Sequence, residues 1–286
     1  MREDFAAFIL THGRPDRVYT YETLAKSGYT GKIYIVIDDE DETGDEYRKR
    51  YGDKVLTFSK SNIAKTFDEG DNFNDRRAII YARNACFDLA RFVGIRYFIQ
   101  LDDDYTQFRY RFDKKRKWRV EWIRSIDAVF ESMIRFLSES PFASVAMSQG
   151  GDHLGGQSGG YARSIKTVRK AMNTFVCDTH RQFSFFGRIN EDVNTYTCAQ
   201  RAGLSFLTFL GFGVEQKTTQ SNAGGMTELY QDSGTYVKSF YSVMYCPSGV
   251  TIRAMRSENP RLHHAINWKA VAPKIIREAH RKPRCS

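Results

Sequence analysis

Cysteine is scarce and falls in no metal-binding pattern: Cys86, Cys177, Cys198, Cys246 and Cys285 include no CxxC pair. That argues against a zinc cage or a disulfide framework, and reduced thiols are expected. Long hydrophobic runs are lacking as well. The N-terminus offers only residues 5–10, broken at once by Thr11-His12-Gly13-Arg14, and nothing approaches the roughly 20 apolar residues that cross a bilayer. A secretory signal would need a longer apolar region and a small-residue cleavage site. The expectation is a cytoplasmic protein with no membrane partner. Internal repeats and low-complexity linkers are missing too. The glycine-rich stretch 150–156 lacks the GK[ST] ending of a phosphate-binding P-loop.

What the chain does have is ordinary globular composition: 286 residues, 41% hydrophobic and 27% charged. One continuous domain over 1–286 is expected, in two halves, 1–105 and 106–286. The halves differ in charge. Up to Phe108 there are 16 Lys and Arg against 20 Asp and Glu; from Arg109 onward, 27 against 14. An acidic first half and a strongly basic second half suggest two jobs, the second meeting a polyanion. A solvated surface that merely keeps the protein soluble gives the same count, and charge alone leaves both open.

The first hundred residues alternate strand and helix. Residues 5–10 and 32–37 read as buried parallel strands and 54–58 as a third. Residues 17–27 and 75–93 have helical spacing, with Gly94 as a C-terminal cap. Residues 95–101 form another strand, running into Asp102-Asp103-Asp104. This is the pattern of an open, mostly parallel sheet, which binds ligands beyond the carboxyl ends of its strands. In the second half, residues 106–122 read as a basic hairpin, 126–137 as a helix and 143–147 as a strand. Helical segments are expected near 164–173 and 193–202, and residues 211–234 read as polar loop.

Three adjacent aspartates at a buried strand's end repel one another unless a cation sits among them. A divalent metal that also touches phosphates is the commonest remedy. Alternation along an extended segment lets Asp102 and Asp104 face one ligand while Asp103 turns aside. The competing reading is an acidic turn that caps the next element.

The run Ala82-Arg83-Asn84, then a helix, then a hydrophobic strand ending in Leu-Asp-Asp-Asp resembles the nucleotide-sugar half of GT-A glycosyltransferases. The resemblance implies an α/β fold of GT-A type: an open, mostly parallel twisted sheet flanked by helices, with a smaller mixed acceptor-side region. It implies Mn²⁺ or Mg²⁺ and a UDP-sugar donor. Asp102 would contact ribose or metal, and Asp104 metal and diphosphate. Asp103, Arg83, Thr11, Arg14 and Asp38 would complete the donor contacts. A surface ion pair is the competing role for Arg83. Asn190-Glu191-Asp192 matches the xED element whose last carboxylate is the base in inverting members, which makes Asp192 the candidate base with Glu191 assisting. Inversion follows if that carboxylate is the base. Acidic residues in a helix's first turn need no catalytic reason, since its dipole favours them. A late histidine joins the metal or diphosphate in many members, and His263 and His264 both fit that place. A structural histidine under Trp268 is the alternative.

On the acceptor side the chain resembles the TET-associated glycosyltransferases, a phage-linked branch acting on hydroxymethylated pyrimidines in DNA. The matching features are Leu-Asp-Asp-Asp, residues 219–226 (Thr-Gln-Ser-Asn-Ala-Gly-Gly-Met), Pro247-Ser248, and His263-His264 with Trp268 and Pro273. The resemblance implies sugar transfer to 5-hydroxymethylcytosine, or a related base, in hydroxymethylated DNA. Independently, Arg109, Arg111, Lys114, Lys115, Arg116, Lys117 and Trp118 interleave cations with aromatics, as phosphate grip and base stacking require. An amphipathic ribbon with its aromatics in the core is the structural alternative. A GT-A enzyme acting on a polysaccharide, lipid or protein is the rival function.

Overall fold

The computed structural model describes residues 1–71, 76–113, 115, 117–153, 156–158, 173–216, 237–255 and 261–278. Residues 164–172 of the expected helix, residues 219–226, Lys114 and Arg116 lie outside them. In chain order the first half runs β1 (Phe5–Leu10), α1 (Tyr19–Lys26), β2 (Lys32–Asp38), α2 (Gly44–Tyr51), β3 (Val55–Phe58), α3 (Lys60–Ala64), α4 (Ile80–Phe92) and β4 (Tyr97–Asp102). Then follow β5 (Tyr105–Phe112), β6 (Trp118–Trp122), α5 (Ile126–Glu139), β7 (Ser144–Gln149), β8 (Phe175–Asp178), α6 (Glu191–Arg201) and β9 (Phe206–Gln216). Helix α7 (residues 237–245), β10 (Val250–Met255), β11 (Arg261–Ile266) and α8 (Trp268–Val271) complete the order.

Nine strands form one sheet in the order β3-β2-β1-β4-β8-β7-β9-β5-β6, and β10 and β11 form a separate hairpin. The first four are parallel neighbours, whereas β4–β8, β8–β7, β9–β5 and β5–β6 pair antiparallel. The expected α/β sheet is therefore present, parallel where strand and helix alternate and mixed where the chain turns basic. Period-two alternation divides its core. Phe5, Ala7 and Ile9 of β1 pack with Leu24 of α1 and with Ile126, Phe130 and Leu137 of α5 on one face. Ala6, Phe8 and Leu10 pack with Ile80, Phe87 and Ala90 of α4 and Val193 and Tyr196 of α6 on the other.

Helix α4 ends as its sequence requires. Gly94 takes φ +70°, its N–H donates to the Arg91 carbonyl at 3.1 Å, and the Ile95 N–H donates to the Ala90 carbonyl at 2.8 Å. That is the two-bond closure open to a glycine beyond a helix end. One expectation needs correction: residues 211–216, read as loop, continue β9. The preceding run Phe206 to Leu210 starts the strand, and Gly213 lets it press on β7, where a Cβ would stand 2.5 Å from Ser148 Oγ.

The entry into α6 is tightly built. Gly187 has φ +78°, and a Cβ there would lie 2.2 Å from Asn194 Nδ2 and 2.6 Å from the Tyr245 ring. Gly187→Ala is predicted to cost about 2 kcal/mol or more, through left-handed strain plus overpacking, read as a lower urea midpoint at unchanged slope.

Candidate active site

The site grows from the end of β4. Leu10 of β1 lies in register with Asp102, so the loop after β1 sits beside the aspartates. The first turn of α1 pins their backbone. Thr20 Oγ1 donates to the Asp102 carbonyl at 2.5 Å, the Thr20 N–H donates to the Asp103 carbonyl at 3.1 Å, and the Tyr105 N–H returns to Thr20 Oγ1 at 3.0 Å. Three like charges are thereby held on a rigid turn.

Their side chains part ways. Asp103 is buried and accepts from Thr11 Oγ1 at 2.7 Å, with the Arg14 guanidinium at 3.3 Å. Alternation turns it toward the β1 loop, where it fixes Thr11 and Arg14, two of the other residues expected at the donor. Tyr47 adds to that knot, its hydroxyl 2.8 Å from Thr11 Oγ1 and accepting from the Arg14 N–H at 2.8 Å. Burial pushes the Asp103 carboxyl above the usual range, and Arg14 opposes the rise.

Asp102 takes the other direction. Arg83 of α4, only 1% exposed, reaches Asp102 Oδ1 through Nη2 at 3.1 Å and Glu191 Oε1 through Nε at 3.1 Å. Gln100 anchors the arginine's own backbone, its Nε2 donating to the Arg83 carbonyl at 2.9 Å, while Phe175 lies 5.4 Å from the guanidinium. One buried cation thus joins the aspartate cluster to the Glu191-Asp192 pair, 108 residues from Arg83 to Glu191 along the chain. The surface ion pair considered for Arg83 does not exist.

One cation cannot neutralise these acids. Burial lifts Asp102 to about 7; Arg83 pulls it down, and Asp104, Glu191 and Asp103 push it up. Glu191 is raised by burial and by Asp192. The unfolded chain gives up the Asp102 proton near pH 4, whereas the folded site keeps it to about 7. Folded protein then binds more protons than unfolded, so this group's contribution falls as pH climbs through that window. The ligand-free protein is predicted to lose thermal stability from pH 5 to pH 8, with a shallower loss in Asp102→Asn.

Among the described residues no group of three or more His, Cys, Asp or Glu is gathered closely enough to hold a metal alone. Carboxylates pressed together and short of positive charge are nonetheless the donor set a hard divalent ion takes, with phosphate oxygens and water completing the shell. The residues present fit such an ion together with a diphosphate.

Asp38 ends β2 on the same side. Burial raises its carboxyl, but His12 at 2.8 Å and buried Lys60 at 3.0 Å outweigh that and hold it below the ordinary carboxylate value. Sequence reading missed Lys60, whose surroundings carry no motif, and Asp41, which accepts from the Gly13 N–H at 2.8 Å and shapes the β1 loop.

At α6, Asn190 precedes the helix with φ +61°, and Asp192 is buried in its first turn. Asn190 Nδ2 lies 3.4 Å from His264 Nδ1, and the His263 and His264 rings are 4.2 Å apart. Trp268 stacks on Tyr196 at 5.7 Å, on α6.

The basic hairpin is present as β5–β6, but two of the residues expected to meet DNA, Arg111 and Trp118, pack against protein. Register shifts between Tyr105 and Gln107 and between Tyr110 and Phe112 break strict alternation, so Tyr105, Phe108 and Arg111 all turn inward. Arg111 is buried with Glu215 at 3.5 Å, and Trp118 packs against Phe112 and His153. Arg109 also pairs with Glu215, at 2.9 Å, while Lys115 and Lys117 are exposed. Trp122, which closes the same run, is 43% exposed with Arg124 over its ring at 5.4 Å.

An α/β sheet with acids beyond a parallel strand, tied by one arginine to a second acidic pair, is the frame of a glycosyltransferase. Residues 5–225 match the family model described as TET-Associated Glycosyltransferase, and the chain belongs to that family. Among solved structures it is similar to the glucosyl-3-phosphoglycerate synthase of Mycobacterium tuberculosis in complex with Mn²⁺ and UDP-glucose, at 8% identity over 92% of this chain and 87% of that one, with a TM-score of 0.47. The same enzyme with Mg²⁺ and UDP overlaps at 8% identity over 92% and 88%, with a TM-score of 0.43. No curated protein matches the chain by sequence.

Proposed function

We propose that this glycosyltransferase moves a sugar from a UDP-sugar to the hydroxymethyl oxygen of 5-hydroxymethylcytosine, or a related hydroxymethylpyrimidine, in DNA. The observation that carries the reading is the Arg83 bridge. It brings the acids at the end of β4 and those at the start of α6 into one continuous site, as coupling a diphosphate donor to a proton-losing acceptor requires.

In this reading Asp102 and Asp104 hold Mn²⁺ or Mg²⁺, which when bound supplies positive charge to the departing diphosphate. Thr11, Arg14 and Asp38 border the uridine through the loop they brace, and Arg83 keeps Asp102 and Glu191 at a fixed separation. Asp192 accepts the acceptor hydroxyl's proton as that oxygen bonds to the anomeric carbon. The bond from that carbon to the diphosphate oxygen breaks, and UDP leaves with the electron pair.

DNA suits the second half. The excess of 27 basic over 14 acidic residues after Phe108 continues through exposed Lys115 and Lys117, beside Trp122. The test is incubation with hydroxymethylated and unmodified DNA, a panel of UDP-sugars and Mn²⁺, then nucleoside mass spectrometry. A hexose or N-acetylhexosamine mass gain confined to the hydroxymethylated base is expected. Transfer to a glycan, lipid or protein instead, with DNA binding indifferent to salt, would refute the acceptor.

A further inference from the structure

One carboxylate stands against two arginines near the far edge of the sheet, where β9 and β5 run antiparallel. Glu215 of β9 lies 2.9 Å from Arg109 Nε and 3.5 Å from Arg111 Nη1, both on β5. Two positive charges therefore share one negative charge.

The arginines are also short of hydrogen bonds. Arg111 is 5% exposed, yet its Nε and Nη2 find no hydrogen-bond partner among the described residues. Those two nitrogens form the edge of a guanidinium that grips two oxygens of one phosphate or carboxylate. Glu215 meets only the remaining nitrogen. Arg109 Nε is buried as well, and for all its closeness to Glu215 it makes no aligned hydrogen bond there. Burial lowers the Arg111 pKa, and Glu215 opposes the fall. Buried donors left in this state cost folding free energy, and the deficit points to a ligand that supplies what the fold leaves out.

Glu215 is the group that can yield. Its side chain is 35% exposed and that of Arg109 27%, so the carboxylate can turn to water and open both guanidinium groups to another anion. The place suits the acceptor. Strand β5 leaves the aspartate turn directly, and Arg109 lies five residues beyond Asp104, about 17 Å along an extended chain. That is roughly half a turn of duplex DNA. Exposed Lys115 and Lys117 lie further along the same hairpin.

We propose that Arg109 and Arg111 form a receptor for one phosphodiester of the acceptor DNA, and that Glu215 fills it in the free protein as a stand-in anion that DNA displaces. The identity of the incoming anion rests on the acceptor proposed above.

Fluorescence anisotropy with a labelled hydroxymethylated duplex, over a series of salt concentrations, tests the exchange. Two variants should move in opposite directions. Glu215→Gln removes the competitor and should bind DNA up to about fivefold more tightly, the scale of a part-exposed ion pair. Arg111→Met should bind about tenfold more weakly, with the slope of log K against log[salt] flatter by about one. Glu215 keeps Arg109 in that variant, so the fold is expected to survive; should it not, Glu215→Gln decides alone. An acid that merely holds the arginines in place predicts weaker or unchanged binding in Glu215→Gln, and that result overturns the inference. So does Arg111→Met binding DNA as wild type does. If the wild-type chain binds no DNA, the acceptor reading falls and takes this occupant with it. If wild type binds and glycosylates DNA while both variants match it, the receptor alone falls.

Discussion

Arg83→Met is expected to cost about 3–5 kcal/mol of folding free energy, a large share of a typical domain's total. Methionine fills most of the aliphatic volume and keeps contact with Phe175 and Phe185, so packing is not the main loss. The loss is electrostatic. Asp102 and Glu191, 20% and 14% exposed, would remain largely shielded from water with their shared partner gone, beside Asp104 and Asp192. Carboxyls left so escape by holding their protons, which pushes two already elevated groups higher. The deficit should therefore shrink at pH 5 and widen at pH 8, read by urea unfolding at both. Adding Glu191→Gln should recover part of it. A single variant as stable as wild type at pH 8 would show that the bridge holds nothing together.

The four parallel strands, α1 and α4 were legible because each carries a local signal, whereas α2 and α3 were not expected. Residues 5–10 and 35–37 are apolar runs buried on both faces, and Gly94 marks the end of α4. Asp102 to Asp104 stood out because adjacent acids at a strand's end are costly unless used. Several things escaped because nothing local encodes them. The Arg83 bridge joins residues far apart in sequence, and an arginine in a helical stretch looks the same whether it faces water or two acids. The continuation of β9 depends on partners supplied by distant segments, β5 and β7. The packing of Arg111 and Trp118 was not legible because two register shifts turn the strand where strict alternation would face them otherwise.

In the proposed reaction, those same contacts distinguish which carboxylate at α6 would take the proton. Glu191 is committed: its Oε1 accepts from Arg83 at 3.1 Å, and withdrawing it would strand the arginine. Asp192 has no such tie to Arg83. Its Oδ1 accepts from the Val193 N–H at 2.7 Å, which orients the carboxylate. Asparagine has the same shape and an oxygen that can make the same bond, so Asp192→Asn should fold normally. It should bind UDP-sugar as wild type does, because the donor contacts proposed above lie at β1, β2 and β4. What it lacks is basicity toward the acceptor hydroxyl, a loss of about 10²–10⁴ in kcat. A drop in kcat with UDP-sugar KM unchanged is the expected split. Glu191→Gln should behave differently, lowering stability along with turnover because it loosens Arg83. Full activity in Asp192→Asn would move the base elsewhere, and a collapse of donor binding would mean that Asp192 serves the donor side.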